Sequence, residues 1–449
     1  MIILKIFLYF ISLLVPGYLT LWCIKTRRPL ANLLNLALGY GLGSFFVTLL
    51  YFTAVFWMHM AASLSLWWLV CLIISLLSGF FIFFRHGIQA TETKNIKEIK
   101  TTKRQKIIIL IIIAFVVVNS VSLISSTLVR PVATFDSLSM WSGKAKTLYF
   151  NNKLDFNPDS QYFLGGGGHN NYPWQIPLMQ LGLSLNFGGY NDLYTNFIFL
   201  AFFIALLILV HSFLFRITNF YKATILTFFL FSLPLVFYHG FNSYADLALS
   251  FYITGSLIYL FKWLEFKNRA DYYLSISFFA AAFFVKDAAL LYLPAFFAIF
   301  FYQILKKEIK KYECFRYFIS SFCLLLPWIF FKFMWNLSYS NSGSGLNMIF
   351  PVKLILSFLG SLFVSYSWNI WIFIAILVFI IKFKKIINDK LAFSAWIFVG
   401  ISIISLILAF SFAAVSQYAY DQTALSRTMM PLIISSFLAV GFSLKENKI

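Results

Sequence analysis

Charge is what this 449-residue chain has least of: Asp, Glu, Lys and Arg make up 11% of it, against 61% hydrophobic residues. A soluble fold of this length cannot cover so much apolar surface, whereas a bilayer acts as the solvent for the outer faces of helices. Acidic residues are scarcer still, 15 against 35 Lys and Arg. Cysteine is limited to Cys23, Cys71, Cys314 and Cys323, none in metal-ligand or Cys-x-x-Cys spacing, which predicts free thiols and excludes a disulfide framework. The run Gly165–Gly168 is not followed by Gly-Lys-Ser/Thr, so it is not a phosphate loop. No internal repeat divides the chain into related halves, which argues against a transporter built on inverted repeats.

What is present is apolar runs separated by polar loops. Spans are predicted at 2–23, 30–57, 61–84, 107–128, 190–214, 223–238, 246–262, 272–286, 288–305, 317–335, 364–381, 391–414 and 428–443. The pair around Lys286 also fits one long bent helix over 272–305. The first apolar run has its basic residues, Lys25, Arg27 and Arg28, after its core and not before it, the order of a retained span rather than of a cleaved signal. Alternate loops then hold 26 of the 35 basic residues with 8 acidic ones, and the other side holds 9 and 7. By the positive-inside rule the basic side is cytoplasmic. The net charge of +20 is therefore mostly loop bias, and nucleic-acid binding loses its support. The reading is an all-α, polytopic transmembrane protein of about 13 spans, N-terminus outside and C-terminus cytoplasmic. Residues 1–106 hold the first three spans and a basic loop, and 107–449 the remaining spans with a long outer loop, 129–186, that carries short surface helices.

Seven Asp and no Glu fall on the outer side: Asp136, Asp155, Asp159, Asp192, Asp246, Asp287 and Asp421. Asp136, Asp246 and Asp287 sit at span ends in apolar surroundings, where an ionisable group is costly and marks a candidate site. Asp136 suits a general base for an acceptor hydroxyl, and equally an N-cap, since it precedes Ser-Leu-Ser-Met-Trp; the segment 134–146 reads as an amphipathic helix on the membrane. Asp246 divides in the same way between a site and a helix cap. His169 fits a phosphate contact or a solvated loop residue. Lys286 either pairs with Asp287 or projects toward an anionic ligand. Arg427 either snorkels to the headgroups or binds a lipid phosphate. Arg130, Lys144 and Lys146 put positive charge near Asp136, and a carboxylate base beside cations is what transfer from a lipid phosphate needs.

The order of these motifs resembles the bacterial GT-C superfamily of membrane glycosyltransferases, of the protein-mannosyltransferase and aminoarabinose-transferase kind. A span precedes Phe135-Asp136-Ser137, then Trp141 and Lys144-Ala-Lys146. The long outer loop follows with His169-Asn-Asn-Tyr-Pro-Trp-Gln-Ile-Pro177, where the family has a His-Pro-Pro-like segment. Asn242-Ser-Tyr-Ala-Asp-Leu-Ala-Leu249, Phe283-Phe-Val-Lys-Asp-Ala-Ala289 and Ser426-Arg-Thr-Met-Met-Pro-Leu432 resemble later family segments. The resemblance covers about residues 107–440. It implies a polyprenyl-phosphate-linked sugar as donor and a glycan, lipid or protein as acceptor on the outer face. Transfer would invert the sugar, with Asp136 as base, Lys286 and Arg427 on the donor phosphate, and His169, Tyr172, Lys144 and Asp246 as further binding residues. It also implies a bacterial plasma (inner) membrane location, with the site facing the periplasm or exterior. Some members hold a divalent metal at outer acidic residues; nothing in this sequence demands a metal or other cofactor. Two other classes compete: a polysaccharide polymerase or ligase, leaning on Arg and His, and a lipid or solute transporter without covalent chemistry.

Overall fold

Predominantly apolar stretches of 19 or more residues leave the backbone only one way to satisfy its polar groups in lipid, which is helix. A computed structural model of the chain describes residues 2–25, 32–84, 102–166, 170–337, 351–411 and 413–445. Among these, regular structure is helical throughout, with a lone bridge between Asp155 and Phe163. The helices are α1 (Ile2–Lys25), α2 (Leu33–Phe52, continued by a π turn to Trp57), α3 (Leu64–Phe84), α4 (Lys103–Val129), α5 (Gly143–Asn151), α6 (Gln175–Phe187) and α7 (Asp192–Thr195). They continue with α8 (Phe197–Ile217), α9 (Phe220–Phe231), α10 (Pro234–His239), α11 (Ala245–Phe266), α12 (Arg269–Val285), α13 (Leu293–Leu305), α14 (Lys311–Leu324) and α15 (Leu326–Met334). The last are α16 (Pro351–Leu359), α17 (Trp371–Ile381), α18 (Phe383–Asn388), α19 (Lys390–Phe410), α20 (Ala413–Tyr420) and α21 (Leu425–Ser443).

Among the described residues nine helices are long and apolar enough to cross a membrane, ten if α14 and α15, bent by 65°, are one broken span. These make the chain an integral membrane protein. The sequence predicts about thirteen spans; the difference lies in the short helices. α17, with 11 residues, rises only roughly 16 Å at 1.5 Å per residue, against a hydrocarbon core of about 30 Å. Around Lys286 the sequence allows one bent helix or two. The chain stops α12 at Val285, sets Lys286 extended (φ −159°, ψ 135°) and restarts through a 3-10 turn, Asp287–Tyr292. The two helices are therefore separate.

Composition sorts helices by position. α4, rich in Ile, Val and Leu, leaves most of its surface exposed, as lipid allows, whereas α11 and α21 are buried along nearly their whole length. Those two carry the small and hydroxyl residues Ser250, Thr254, Gly255, Ser256, Ser435, Ser436 and Gly441, which let helices approach and hydrogen-bond across membrane interfaces. The Ser256 and Ser275 hydroxyls each donate to the other's carbonyl, at 3.0 and 2.8 Å, and both meet the Tyr317 hydroxyl. Trp371 donates to Ser436 Oγ at 2.8 Å and stacks on Phe437. The first three helices share this core: Tyr252 donates to Gly41 O at 2.8 Å, and Tyr40 to Ile198 O at 3.1 Å.

α1 and α2 meet at their backbones. A Cβ on Gly17 would fall 1.9 Å from Gly39 O, and one on Gly43 1.9 Å from Leu13 O. No rotamer change relieves a clash with backbone, so Gly43→Ala is expected to destabilise the fold by about 2–3 kcal/mol. A thermal midpoint in detergent equal to that of the parent would show that the helices separate freely.

The loop 129–186 departs from its reading most. The segment 134–146 is not an amphipathic helix with its charges outward. It is a π turn, Ser137–Ser142, running into α5; it buries Trp141, Ser142 and Lys144 and exposes Phe135 and Leu138. α6 is no surface helix either: Gln175 through Ser184 are all buried, against α1, α2, α3 and α5. Gly165 (φ +94°) lets the loop pass close to Trp174 and Lys144, since a Cβ there would lie 2.8 Å from the Trp174 ring and 3.1 Å from Lys144 Cγ.

Candidate functional site

α11 and α12 run antiparallel, and their ion pairs mark two ends of the bundle. At one, Lys262 from the end of α11 meets Asp271 from the start of α12 at 2.9 Å; Lys445–Glu265 at 3.0 Å also engages the end of α11. At the other, Asp246 in the first turn of α11 meets Lys286, just beyond α12, at 2.7 Å. Two further pairs belong to this second end. Arg427 Nη1 of α21 donates to Asp136 Oδ2 at 2.5 Å, and Lys332 of α15 donates to Asp287 Oδ2 at 2.6 Å.

Each element delivers its side chain for a local reason. Asp136 sits where α4 has ended and the π turn begins; Ser137 ties that turn to the loop before α11 by donating to Ser243 O at 2.8 Å. The Asp136 side chain makes no capping bond, so the cap reading fails and the carboxylate is committed to Arg427. Asp246 is not at the cap position, which Tyr244 occupies; it lies within the first turn of α11. Arg427 is held twice more: Nε donates to Thr423 O at 2.9 Å, and the guanidinium lies 4.7 Å over the Tyr244 ring. Lys286 pairs with Asp246 and not with its neighbour Asp287, because an extended residue sends consecutive side chains to opposite sides.

Exposure separates the pairs. The Asp136 and Arg427 side chains are 23% and 17% exposed and reachable, whereas that of Asp246 is 1% exposed. Lys144 is 0% exposed; its Nζ donates to Tyr172 O at 2.9 Å and rides 4.9 Å over the Trp174 ring. Tyr172 lies within electrostatic reach of Asp287, Asp136 and Asp246; burial first, and then these carboxylates, push its hydroxyl up to about 12. Tyr172 thus links the long loop to all three pairs. Lys286, Lys332 and Arg427 balance Asp246, Asp287 and Asp136 one to one, and Lys144 adds a positive charge when it is protonated. Among the described residues no group of three His, Cys, Asp or Glu side chains converges as metal ligands do. A groove of about 390 Å³ is lined by apolar residues of α13 together with Cys314 and carries none of this chemistry.

Burial pushes the Lys144 ammonium down to about 7, with Asp287 opposing the shift and Lys332 adding to it. Between about 7 and the ordinary lysine value of 10.5 the folded chain thus binds fewer protons than the unfolded chain. Stability then rises with pH across that window and falls as pH drops toward 7. Lys144→Met is expected to remove this slope, as read from thermal midpoints between pH 7 and 10. A slope identical to the parent's would mean that Lys144 titrates as an exposed lysine.

Of the residues named from sequence, Asp136, Asp246, Lys286, Arg427, Lys144 and Tyr172 gather at one end. His169 lies outside the described residues. Asp155 is a loop residue that accepts from Asn157 N–H at 2.9 Å. Two residues at this end were not identified. Lys332 is a lone lysine in an apolar run, so the rule that selected Asp246 would have selected it. His239 is fully buried, stacks on Tyr244 at 4.7 Å and has no hydrogen-bond partner on either ring nitrogen; its one signal was its place in the loop before Asp246. No family model, no curated protein and no solved structure matches this chain.

Proposed function

We propose that the chain is a membrane glycosyltransferase, moving a sugar from a polyprenyl-phosphate donor to a glycan, lipid or protein acceptor with inversion. The observation that carries this reading is the Asp136–Arg427 contact, a reachable carboxylate joined to a guanidinium across 291 positions of sequence. A donor phosphate competes with Asp136 for Arg427, since both offer oxygens to the same fork of donors. When it wins, Asp136 is free to accept the proton of the acceptor hydroxyl. The acceptor oxygen then bonds to the anomeric carbon as the bond from that carbon to the phosphate oxygen breaks. Polyprenyl phosphate leaves with the electron pair, its new charge met by Arg427 and Lys286. Lys286 remains bound to Asp246 in this scheme and acts as a charge rather than as a vacant hand.

The orientation we propose rests on the basic loops: N-terminus outside and C-terminus cytoplasmic, with the site facing the periplasm or exterior of a bacterial inner membrane. In support, the basic pairs at Lys262 and Lys445 lie at the end of α11 opposite Asp246. The charged groups of the site sit at helix ends, which favours chemistry at an interface over carriage through the membrane. The test is release of polyprenyl phosphate when the purified protein meets a panel of polyprenyl-phosphate hexoses and a cell-envelope extract as acceptor. Release is expected with at least one donor; none across the panel overturns the lipid-phosphate donor.

A further inference from the structure

A second group of side chains borders this end and has no part in the scheme above. Within six residues of the long loop, five buried side-chain polar atoms have no hydrogen-bond partner: Asn170 Oδ1, Asn171 Oδ1 and Nδ2, Trp174 Nε1 and Gln175 Oε1. Asn171 is 5% exposed, and Trp174 and Gln175 are completely buried. Buried polar groups are almost always paired, and a cluster that is not calls for a ligand or a functional account. The segment that carries them closes over Lys144, whose Nζ bonds the carbonyl of Tyr172 within it. Tyr172 in turn lies within reach of Asp136, Asp246 and Asp287, so the cluster adjoins the reacting end rather than a remote surface.

The kinds of atom select the ligand. Three of the five accept and two donate, and Lys144 adds donors. An anion would face three unpaired acceptor oxygens and is disfavoured; a purely apolar group would leave all five unpaired. Hydroxyls donate and accept at once, and a ring bearing several of them meets a mixed set of this kind at short spacing. None of these amides or the indole titrates, so they recognise rather than react.

We propose that Asn170–Gln175, with Lys144 beneath it, is the subsite that binds the hydroxyls of the transferred sugar and determines which sugar the chain accepts. This rests on the glycosyl-transfer reading. The group at the anomeric carbon then faces Arg427 and Asp136 while the hydroxyls are held by the loop. The selectivity of the enzyme is set by Asn171 and its neighbours, and its affinity for the lipid phosphate by the cations.

Equilibrium binding in lipid nanodiscs tests this with polyprenyl phosphate and its glucosyl, mannosyl and galactosyl derivatives. The parent is expected to bind at least one derivative tenfold or more tightly than the bare lipid phosphate. Asn171→Leu is expected to abolish that increment and leave the bare lipid unchanged, which also reports that the variant is folded. If Asn171→Leu loses the bare lipid too, Asn170→Ala, at a half-buried position, is judged by the same criterion. An increment that survives in the folded variant overturns the subsite. So does a parent that binds bare lipid and all three derivatives alike, and in that case the lipid-phosphate reading stands. A parent that binds none of the four overturns that reading and the subsite with it.

Discussion

Asp136→Asn is expected to lower the rate of polyprenyl-phosphate release by about 10²–10⁴-fold, the range that a positioned general base supplies. The amide keeps the shape and still accepts a hydrogen bond from Arg427, but it cannot take a proton from the acceptor hydroxyl. Little stability should be lost. The pair is partly exposed, at 23% and 17%, and ion pairs in contact with water contribute roughly 0–1 kcal/mol. Arg427 also keeps Thr423 O and the Tyr244 ring. The amide also competes less with the donor phosphate for Arg427, so the variant should bind donor at least as tightly and fail at chemistry, a loss in kcat with no rise in KM. A variant that keeps more than a tenth of the parent rate would remove Asp136 from the proton transfer and pass that role to another group at this end, with His239 the first to examine.

Lys286→Met should do the reverse and act mainly on stability. Asp246 is almost wholly buried, and its 2.7 Å bond to Lys286 is the ion pair that compensates its charge. Removing one partner of a buried pair leaves an uncompensated charge and costs about 3–5 kcal/mol. The double variant Asp246→Leu/Lys286→Met replaces both by apolar groups and should recover most of that loss, because the desolvation of two ions is removed together with their attraction. Thermal midpoints in detergent decide it. Single and double variants that unfold at the same temperature would show that the pair is solvated and that its role is not structural.

These two pairs also mark where reading along the chain stops being informative. Lys286 and Asp287 are adjacent, and adjacency suggests a partnership. The backbone breaks between α12 and the 3-10 turn, and the two side chains go to Asp246, 40 positions earlier, and to Lys332, 45 positions later. Sequence spacing says nothing of this, since the choice is made by the packing of α11 and α15 around the break. The same holds for α6. Its leucines and methionine are visible in the sequence, but their burial inside the bundle depends on α1, α2 and α3 closing around it. It was therefore read as the tail of an outer loop.

The sequence by itself determined what depends on composition and local pattern. These are the membrane as solvent, helix as the only regular structure, the runs that become α1 to α4, the unequal basic loops, and the suspicion attached to ionisable residues in apolar surroundings. Each follows from the cost of placing a charge or an unpaired backbone group in hydrocarbon, which is a property of single residues and short windows. Only the tertiary structure decided which charges meet, that Lys144 is buried and Asp136 reachable, and that polar side-chain atoms of Asn170, Asn171, Trp174 and Gln175 are buried without partners. Those facts depend on contacts between residues up to 291 positions apart, and they are settled by helix packing, for which the one-dimensional pattern carries no local signal.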